Sequence, residues 1–220
     1  MAVVDFPSPI SLTEWRERWS RPLLDFFVFA TREQIVTERF TISHYNQGRV
    51  IGLHPAIRRA AADRVWVGDI TYLKVGGIYR YLAVVMDKYS RRVVGWSYGP
   101  RKDVKLTLQA LERAVRARRP ASAIVFHTDR GIEYAAGAFK QRIAELGFTQ
   151  SMNRPGKVTD NAFIESFFHS MKSEVFHGYR FNDDKEVRAV LKNYLPFYNR
   201  DRLHSSLDYV SPATFERQVQ

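Results

Sequence analysis

Residues 65–87 read VWVGDITYLKVGGIYRYLAVVMD, which is two apolar runs around a glycine pair. Val65 to Lys74 is rich in β-branched and aromatic residues, and Ile78 to Asp87 is a second apolar run. Gly76-Gly77 between them supplies the conformational freedom of a tight turn. The stretch therefore predicts a β-hairpin.

Downstream, the apolar spacing changes from every second residue to a helical period and back again. The predicted elements are a third strand and then alternating helices and strands: Val93 to Tyr98 (strand), Val104 to Arg118 (helix), Ala123 to Thr128 (strand), Ala135 to Leu146 (helix) and Phe148 to Met152 (strand). The order β-β-β-α-β-α-β predicts an α/β fold, in which a mixed five-stranded sheet is flanked by helices.

The C-terminal part is predicted to be helical. Residues 153–159 contain a proline and a glycine and are interpreted as a loop. A helix should follow, capped by Asp160 or Asn161 and running to about Val175. A further helix should cover Lys185 to about Tyr198, and Pro196 is expected to bend it or end it.

Two regions are predicted. Residues 63–220 form the core with its C-terminal helical tail, whereas residues 1–62 form an N-terminal region without a clear helix-turn-helix pattern.

The chain has no cysteine, which excludes disulfides, thiolate zinc sites and a cysteine nucleophile. Without a signal peptide or a membrane span, a cytoplasmic, nucleoid-associated location is expected.

The charge balance indicates a polyanionic partner. The 220 residues include 34 basic and 23 acidic side chains, for a net charge of +11 and a pI near 10.0. Residues 88–119 alone contain ten basic and two acidic side chains. Such a segment is typical of nucleic-acid binding, although a basic face that serves only solubility is the alternative.

Three acidic residues are candidates for a metal site. Asp69 lies within an apolar strand, where an unpaired buried charge is costly. Asp129 ends the strand that precedes Arg130, and Glu165 lies one turn into a helix. Each acid taken alone is more simply a turn or helix-end residue. Together, on two strands and a helix, they can supply the oxygen ligands that a pair of magnesium ions requires.

One face of the predicted helix after residue 161 is also of interest. Glu165, His169 and Lys172 are spaced at i, i+4 and i+7, so they share this face. The Lys172 ammonium would then stand beside the carboxylates, directed toward a phosphate. The alternative is an exposed stripe of polar side chains with only a small stabilising effect.

Several sequence motifs resemble the catalytic core of retroviral integrases and of insertion sequence 3 group transposases. Thirty-five residues separate Asp129 from Glu165, which is the family spacing. The motifs that match follow the family order: Trp66-Val-Gly-Asp69-Ile-Thr-Tyr72, Tyr81-Leu-Ala-Val-Val-Met-Asp87, Ser90-Arg-Arg-Val-Val-Gly-Trp96, His127-Thr-Asp129-Arg-Gly131, Asp160-Asn-Ala162, Glu165-Ser-Phe-Phe168, Tyr198-Asn-Arg200 with Arg202 and His204-Ser205, and Ser211-Pro212.

The resemblance implies a ribonuclease-H-like fold, with Asp69, Asp129 and Glu165 as catalytic residues and as ligands of two Mg²⁺ or Mn²⁺ ions. It implies DNA strand nicking and strand transfer during transposition, on element ends and target DNA, by a homo-oligomer. Lys172 matches a family position associated with gripping the DNA end. The other expected DNA contacts are His169, Arg130, Arg154 and Lys157.

The sequence leaves three interpretations open. Family members usually carry a helix-turn-helix segment ahead of the core, and residues 1–61 do not resemble one. The chain is then either a transposase catalytic protein or a truncated, inactive remnant that only binds DNA or a partner. A ribonuclease H that acts on RNA–DNA hybrids is a third interpretation, which the C-terminal motifs disfavour.

Overall fold

The computed structural model of the protein describes residues 61–121, 123–153 and 161–218. Its strands are β1 (Val65–Val75), β2 (Ile78–Asp87), β3 (Val93–Gly99), β4 (Val125–Thr128) and β5 (Thr149–Met152). They form one sheet in the order β3-β2-β1-β4-β5. The three N-terminal strands pair antiparallel, whereas β4 is parallel to both β1 and β5. The prediction of a mixed five-stranded sheet is therefore confirmed.

Helices flank this sheet. The described helices are α1 (Val104–Arg118), α2 (Ile132–Ala135), α3 (Gly137–Glu145), α4 (Ala162–Met171), α5 (Asp184–Arg200) and α6 (Pro212–Gln218). A π turn, Lys172–Phe176, continues α4, and a short 3₁₀ turn, Ser205–Leu207, lies between α5 and α6. α1 has the predicted bounds, and Asp103 caps it by accepting the Leu106 N–H.

The helix predicted from Ala135 to Leu146 corresponds to α3, which begins two residues later because Ala136 is extended, with φ −61° and ψ 141°. The short helix α2 before it was not predicted. α5 extends to Arg200, close to its predicted end near Tyr198, so Pro196 does not end it. A proline has no N–H, so Pro196 leaves the Lys192 carbonyl without its helical hydrogen bond. Both residues lie on the exposed side of the helix. Water can satisfy that carbonyl, which lowers the cost of the proline.

The core on one face of the sheet forms around α1. Trp66 and Phe126 are fully buried in it and lie side by side on β1 and β4. Gly95 on β3 allows α1 to approach the sheet closely, since a Cβ at this position would lie 2.3 Å from the Ala110 carbonyl oxygen. A side chain of any other residue type would therefore push the helix away from the sheet.

A buried polar network ties α6 to the turn between β2 and β3. Glu216 accepts hydrogen bonds from Ser90 Oγ at 2.7 Å, from Arg92 Nη1 at 2.6 Å and from Arg118 Nη1 at 2.9 Å. Burial alone raises the pKa of the Glu216 carboxyl, but these three donors bring it below its ordinary value. Asp87 is fully buried in the same network and accepts the N–H and hydroxyl of Ser90. The C-terminal helix is thus anchored by charge pairing.

The predicted N-terminal region covers residues 1–62, and residues 1–60 of it lie outside the described residues. The proposed boundary near residue 62 therefore stays a prediction. None of the helices in the described ranges is long and apolar enough to cross a membrane.

Candidate active site

Asp69 lies where β1 loses its neighbour on one side. β4 ends at Thr128, which pairs with Gly68, so β1 continues past that point without β4 beside it. The Asp69 side chain is only partly buried, and its Oδ1 accepts the Ile70 N–H at 2.7 Å. The end of the neighbouring strand thus explains how an acid is accommodated in the middle of an apolar strand.

Asp129 follows directly on the strand next to Asp69. It is the first residue after β4, and its Oδ1 accepts the Gly131 N–H at 2.9 Å. Since Gly68 and Thr128 are register partners in parallel strands, the residue after each of them lies at the same edge of the sheet. The structure therefore brings the first two predicted carboxylates together, at the carboxyl end of the parallel strands where ligand sites commonly form.

The electrostatics of Asp69 link it to the other two acids. Burial has the largest effect and raises the pKa of the Asp69 carboxyl to about 7. The Ile70 N–H lowers this pKa, the negative charges of Asp129 and Glu165 raise it, and Lys102 lowers it again. All three predicted carboxylates are thus close enough to interact.

Glu165 is less tightly placed. It lies in the first turn of α4, and its side chain is exposed. α4 itself packs against β1, the strand that carries Asp69. In the described part of the chain, however, no three or more histidine, aspartate or glutamate side chains are gathered closely enough to hold a metal ion. The structure therefore places Glu165 within electrostatic range of Asp69, but not in a compact ligand cluster with it.

A fourth acid at this edge was missed by the sequence interpretation. Glu133 in α2 is 4% exposed, its Oε1 lies 3.6 Å from Lys102 Nζ, and its Oε2 has no hydrogen-bond partner among the described residues. Beneath it lies the buried Tyr134 hydroxyl, whose pKa is raised by burial first and then by Asp69, Asp129 and Glu133. In the sequence, Glu133 lies between two predicted elements, and its burial is visible only in the tertiary structure.

The predicted DNA contacts are placed as follows. Lys172 is partly buried at the end of α4, with its ammonium 4.4 Å from the Tyr72 ring centroid. Desolvation lowers the pKa of this lysine. His169 is exposed on α4, and Arg130 is exposed, with its Nε donating to the Asn153 carbonyl at 2.8 Å. The two other expected contacts, Arg154 and Lys157, lie outside the described residues.

The basic segment 88–119 is partly used for structure. Arg118 is bound to Asp63 and Glu216, and Arg92 also pairs with Glu216. Arg113 donates to the Trp96 carbonyl. Other basic side chains of the segment are exposed, among them Lys105, Arg116 and Arg119. The net charge of the segment therefore overstates the charge that it offers to a ligand.

The donor set at this edge fits a hard divalent cation. All the predicted ligands are carboxylates, which Mg²⁺ and Mn²⁺ prefer over nitrogen or sulfur. Asp69 lies in a desolvated position beside two other negative charges, an arrangement that a bound cation would stabilise. Glu133 Oε2, for which the described part of the chain offers no hydrogen-bond partner, lies at the same edge.

The fold is that of an integrase catalytic core. The structure is similar to the integrase catalytic core domain of HTLV-2 in complex with magnesium, with a TM-score of 0.55 and 15% identity over 71% of this chain and 97% of that one. It is also similar to the simian T-cell lymphotropic virus intasome in complex with PP2A regulatory subunit B56 gamma, with a TM-score of 0.61 and 17% identity over 82% of this chain and 60% of that one. These likenesses concern the fold alone.

Sequence comparison identifies the family. Two models described as "Integrase core domain" match residues 59–158 and 146–212. The transposase for insertion sequence element IS904 of Lactococcus lactis is 33% identical over 81% of this chain and 73% of its own length. Transposase InsF for insertion sequence IS3fB of Escherichia coli is 44% identical over 71% of this chain. The chain belongs to the insertion sequence 3 group of transposases, with an integrase-like core, as its motifs indicate.

The match to the Escherichia coli relatives is partial in length. The chain spans about half of each of them, 54% of the InsF transposase for IS3fB and 54% of that for IS3A.

Proposed function

We propose that the protein nicks DNA at the ends of an insertion sequence and joins the freed end to target DNA, in a reaction that depends on divalent cations. The observation that carries this proposal is the edge of the sheet where Asp69 and Asp129 lie on adjacent strands, within electrostatic range of Glu165. Family membership and the thirty-five residues between Asp129 and Glu165 support it.

In this proposal Asp69, Asp129 and Glu165 hold two Mg²⁺ or Mn²⁺ ions. Bound there, the cations would supply activation of the attacking oxygen and stabilisation of the leaving oxygen in an in-line phosphoryl displacement. The protein's own contribution is to fix two of the three ligands, because the Ile70 and Gly131 N–H groups each hold one carboxylate oxygen. Glu165 is exposed and has to come closer to complete the site.

DNA is proposed to bind to basic side chains around the site. Lys172, His169 and Arg130 lie in the described structure, and Arg154 and Lys157 are proposed with them. Phosphate neutralisation releases counterions, so the affinity for DNA should fall steeply between 50 and 200 mM salt, by about a thousandfold if six phosphates are contacted. We also propose that the protein acts as a homo-oligomer on paired ends.

The test uses an end-labelled duplex that carries the element's terminal repeat, with Mg²⁺ or Mn²⁺. The wild-type protein should nick it, and Asp129→Asn should abolish nicking. Asp208→Asn is the matched control, because Asp208 is exposed in a left-handed turn where asparagine fits equally well. Equal nicking by Asp129→Asn would overturn the assignment.

The same preparations separate the alternatives. DNA binding without cleavage under every divalent cation would identify a remnant that only binds DNA. Degradation of the RNA strand of an RNA–DNA hybrid would instead identify a ribonuclease H. Isothermal titration calorimetry with Mn²⁺ and without DNA should show weaker Mn²⁺ binding by Asp69→Asn than by the wild-type protein.

A further inference from the structure

Two exposed aromatic side chains lie on the hairpin that carries Asp69. Tyr72 is 59% exposed and Tyr79 is 57% exposed, and their ring centroids are 5.3 Å apart, at an interplanar angle of 84°. Tyr72 opposes Tyr81 and Lys74 opposes Tyr79 in the β1–β2 register, so all four share one face of the hairpin. Tyr81 packs against the core, whereas Tyr72, Lys74 and Tyr79 are exposed.

Two lysines lie beside these aromatic residues. Lys172 Nζ lies 4.4 Å from the centroid of the Tyr72 ring, and Lys74 lies directly across the ladder from Tyr79. Lys172 is also the residue at which α4 changes into a π turn. Such changes of helix type are frequent at functional sites. Exposed rings with adjacent cations are the combination that single-stranded nucleic acid requires, because bases stack while phosphates are neutralised.

The carboxylates and the tyrosine rings lie on different faces of β1. Tyr72 is three residues beyond Asp69, which corresponds to about 10 Å along the strand, and side chains alternate between the two faces of a strand. Both residues lie beyond Gly68, where β4 no longer pairs with β1, so a DNA strand that reaches both has to pass around that edge of β1.

We propose that Tyr72 and Tyr79, with Lys74 and Lys172, form a stacking surface for unpaired bases next to the phosphate engaged at Asp69 and Asp129. This inference rests on the proposed function. Positive charge complementarity favours a DNA strand over a protein as the occupant, since Lys74 and Lys172 flank the rings of a chain with a net charge of +11. A cation–π contact at an exposed site is weaker than base stacking, so Lys172 moves from the ring to a phosphate when a base arrives.

The experiment compares two DNA probes in EDTA, so that no cleavage occurs. One is a blunt duplex, and the other is the same duplex with a three-nucleotide single-stranded extension that contains 2-aminopurine. Affinities are measured by fluorescence anisotropy with the full chain. The double variant Tyr72→Leu with Tyr79→Leu should bind the extended probe at least tenfold more weakly, and the blunt probe within twofold of wild type. The double Phe variant, which keeps both rings, is the matched control.

A second readout reports stacking itself. Wild type and the Phe variant should quench the 2-aminopurine fluorescence, and the Leu variant should not. Lys172→Ala should weaken both probes and lower the salt slope by about one unit. Unchanged affinity of the Leu variant for the extended probe would overturn the inference, as would equal loss on both probes or a changed sedimentation coefficient, which would indicate a protein interface.

Failure of this inference is distinguishable from failure of the proposed function. If the Leu variant binds like wild type while Asp129→Asn still abolishes nicking, only the stacking surface is wrong. If Asp129→Asn nicks normally, the proposed function is wrong whatever the tyrosines do.

Discussion

Gly131 offers a test of the candidate site that substitutes none of the proposed ligand residues. A Cβ at this position would lie 2.8 Å from Glu133 Oε2 and 3.0 Å from Asp129 Oδ1. The backbone of Gly131 has φ −54° and ψ 140°, which alanine adopts without strain. The variant Gly131→Ala therefore changes only the space next to two carboxylates.

The expected displacement follows from these distances. Ordinary contacts begin at 3.4 Å, so Glu133 Oε2 must move by about 0.6 Å and Asp129 Oδ1 by about 0.4 Å, unless the backbone gives way. A misplacement of 1 Å at a reacting centre costs about a hundredfold in rate, so half of that should cost about tenfold. Because both groups are the ends of side chains, the free energy of unfolding should change by no more than about 1 kcal/mol.

The assay is the initial rate of Mg²⁺-dependent nicking on the terminal-repeat duplex, with a thermal melt of the same preparation. Gly137→Ala is the matched control, because a Cβ there meets nothing within 4 Å. We expect the control to nick like wild type and Gly131→Ala to be about tenfold slower. A wild-type rate for Gly131→Ala would refute the reasoning that this carboxylate edge performs the chemistry.

Two further predictions concern stability. His204 is buried, and this burial, together with the positive charges of Arg202 and Arg91, lowers the pKa of its imidazole from 6.5 to about 3. In the unfolded chain the same imidazole takes up a proton near pH 6.5. The free energy of unfolding should therefore fall by about 1.4 kcal/mol per pH unit as the pH falls below 6.5. Urea unfolding at pH 7 and pH 5 should show a smaller loss for His204→Gln than for wild type, and equal losses would contradict this sign. Glu216→Ala leaves Arg118 and Arg92 without their shared acceptor and should lower the free energy of unfolding by about 3 kcal/mol. The exposed Gln218→Ala should change it by less than about 0.5 kcal/mol, and a similar melting temperature for both variants would argue against the network.

Local patterns account for most of what could be predicted. Strand alternation and helical spacing are set within a few residues by backbone sterics, so β2 and α1 have the bounds that the sequence indicated. Asp69 within β1 and Asp129 directly after β4 were also placed correctly, because each is defined by the apolar run around it. Their role as metal ligands stays a prediction.

Features that depend on distant segments were missed. The short helix α2 was not predicted. Arg92 and Arg118 appeared to belong to a DNA-binding segment, yet both pair with Glu216 from the other end of the described chain. Glu133 was not singled out in the sequence, and only the tertiary structure shows that it is buried.

The amino-acid sequence by itself determined the order of elements, the family and the three acids at its characteristic spacing, because each of these depends on neighbouring residues or on motifs. Only the tertiary structure decided which charges lie together. The register of Gly68 with Thr128 brings Asp69 beside Asp129. This pairing joins segments far apart in the chain, and it is the energy of packing the whole sheet that selects it.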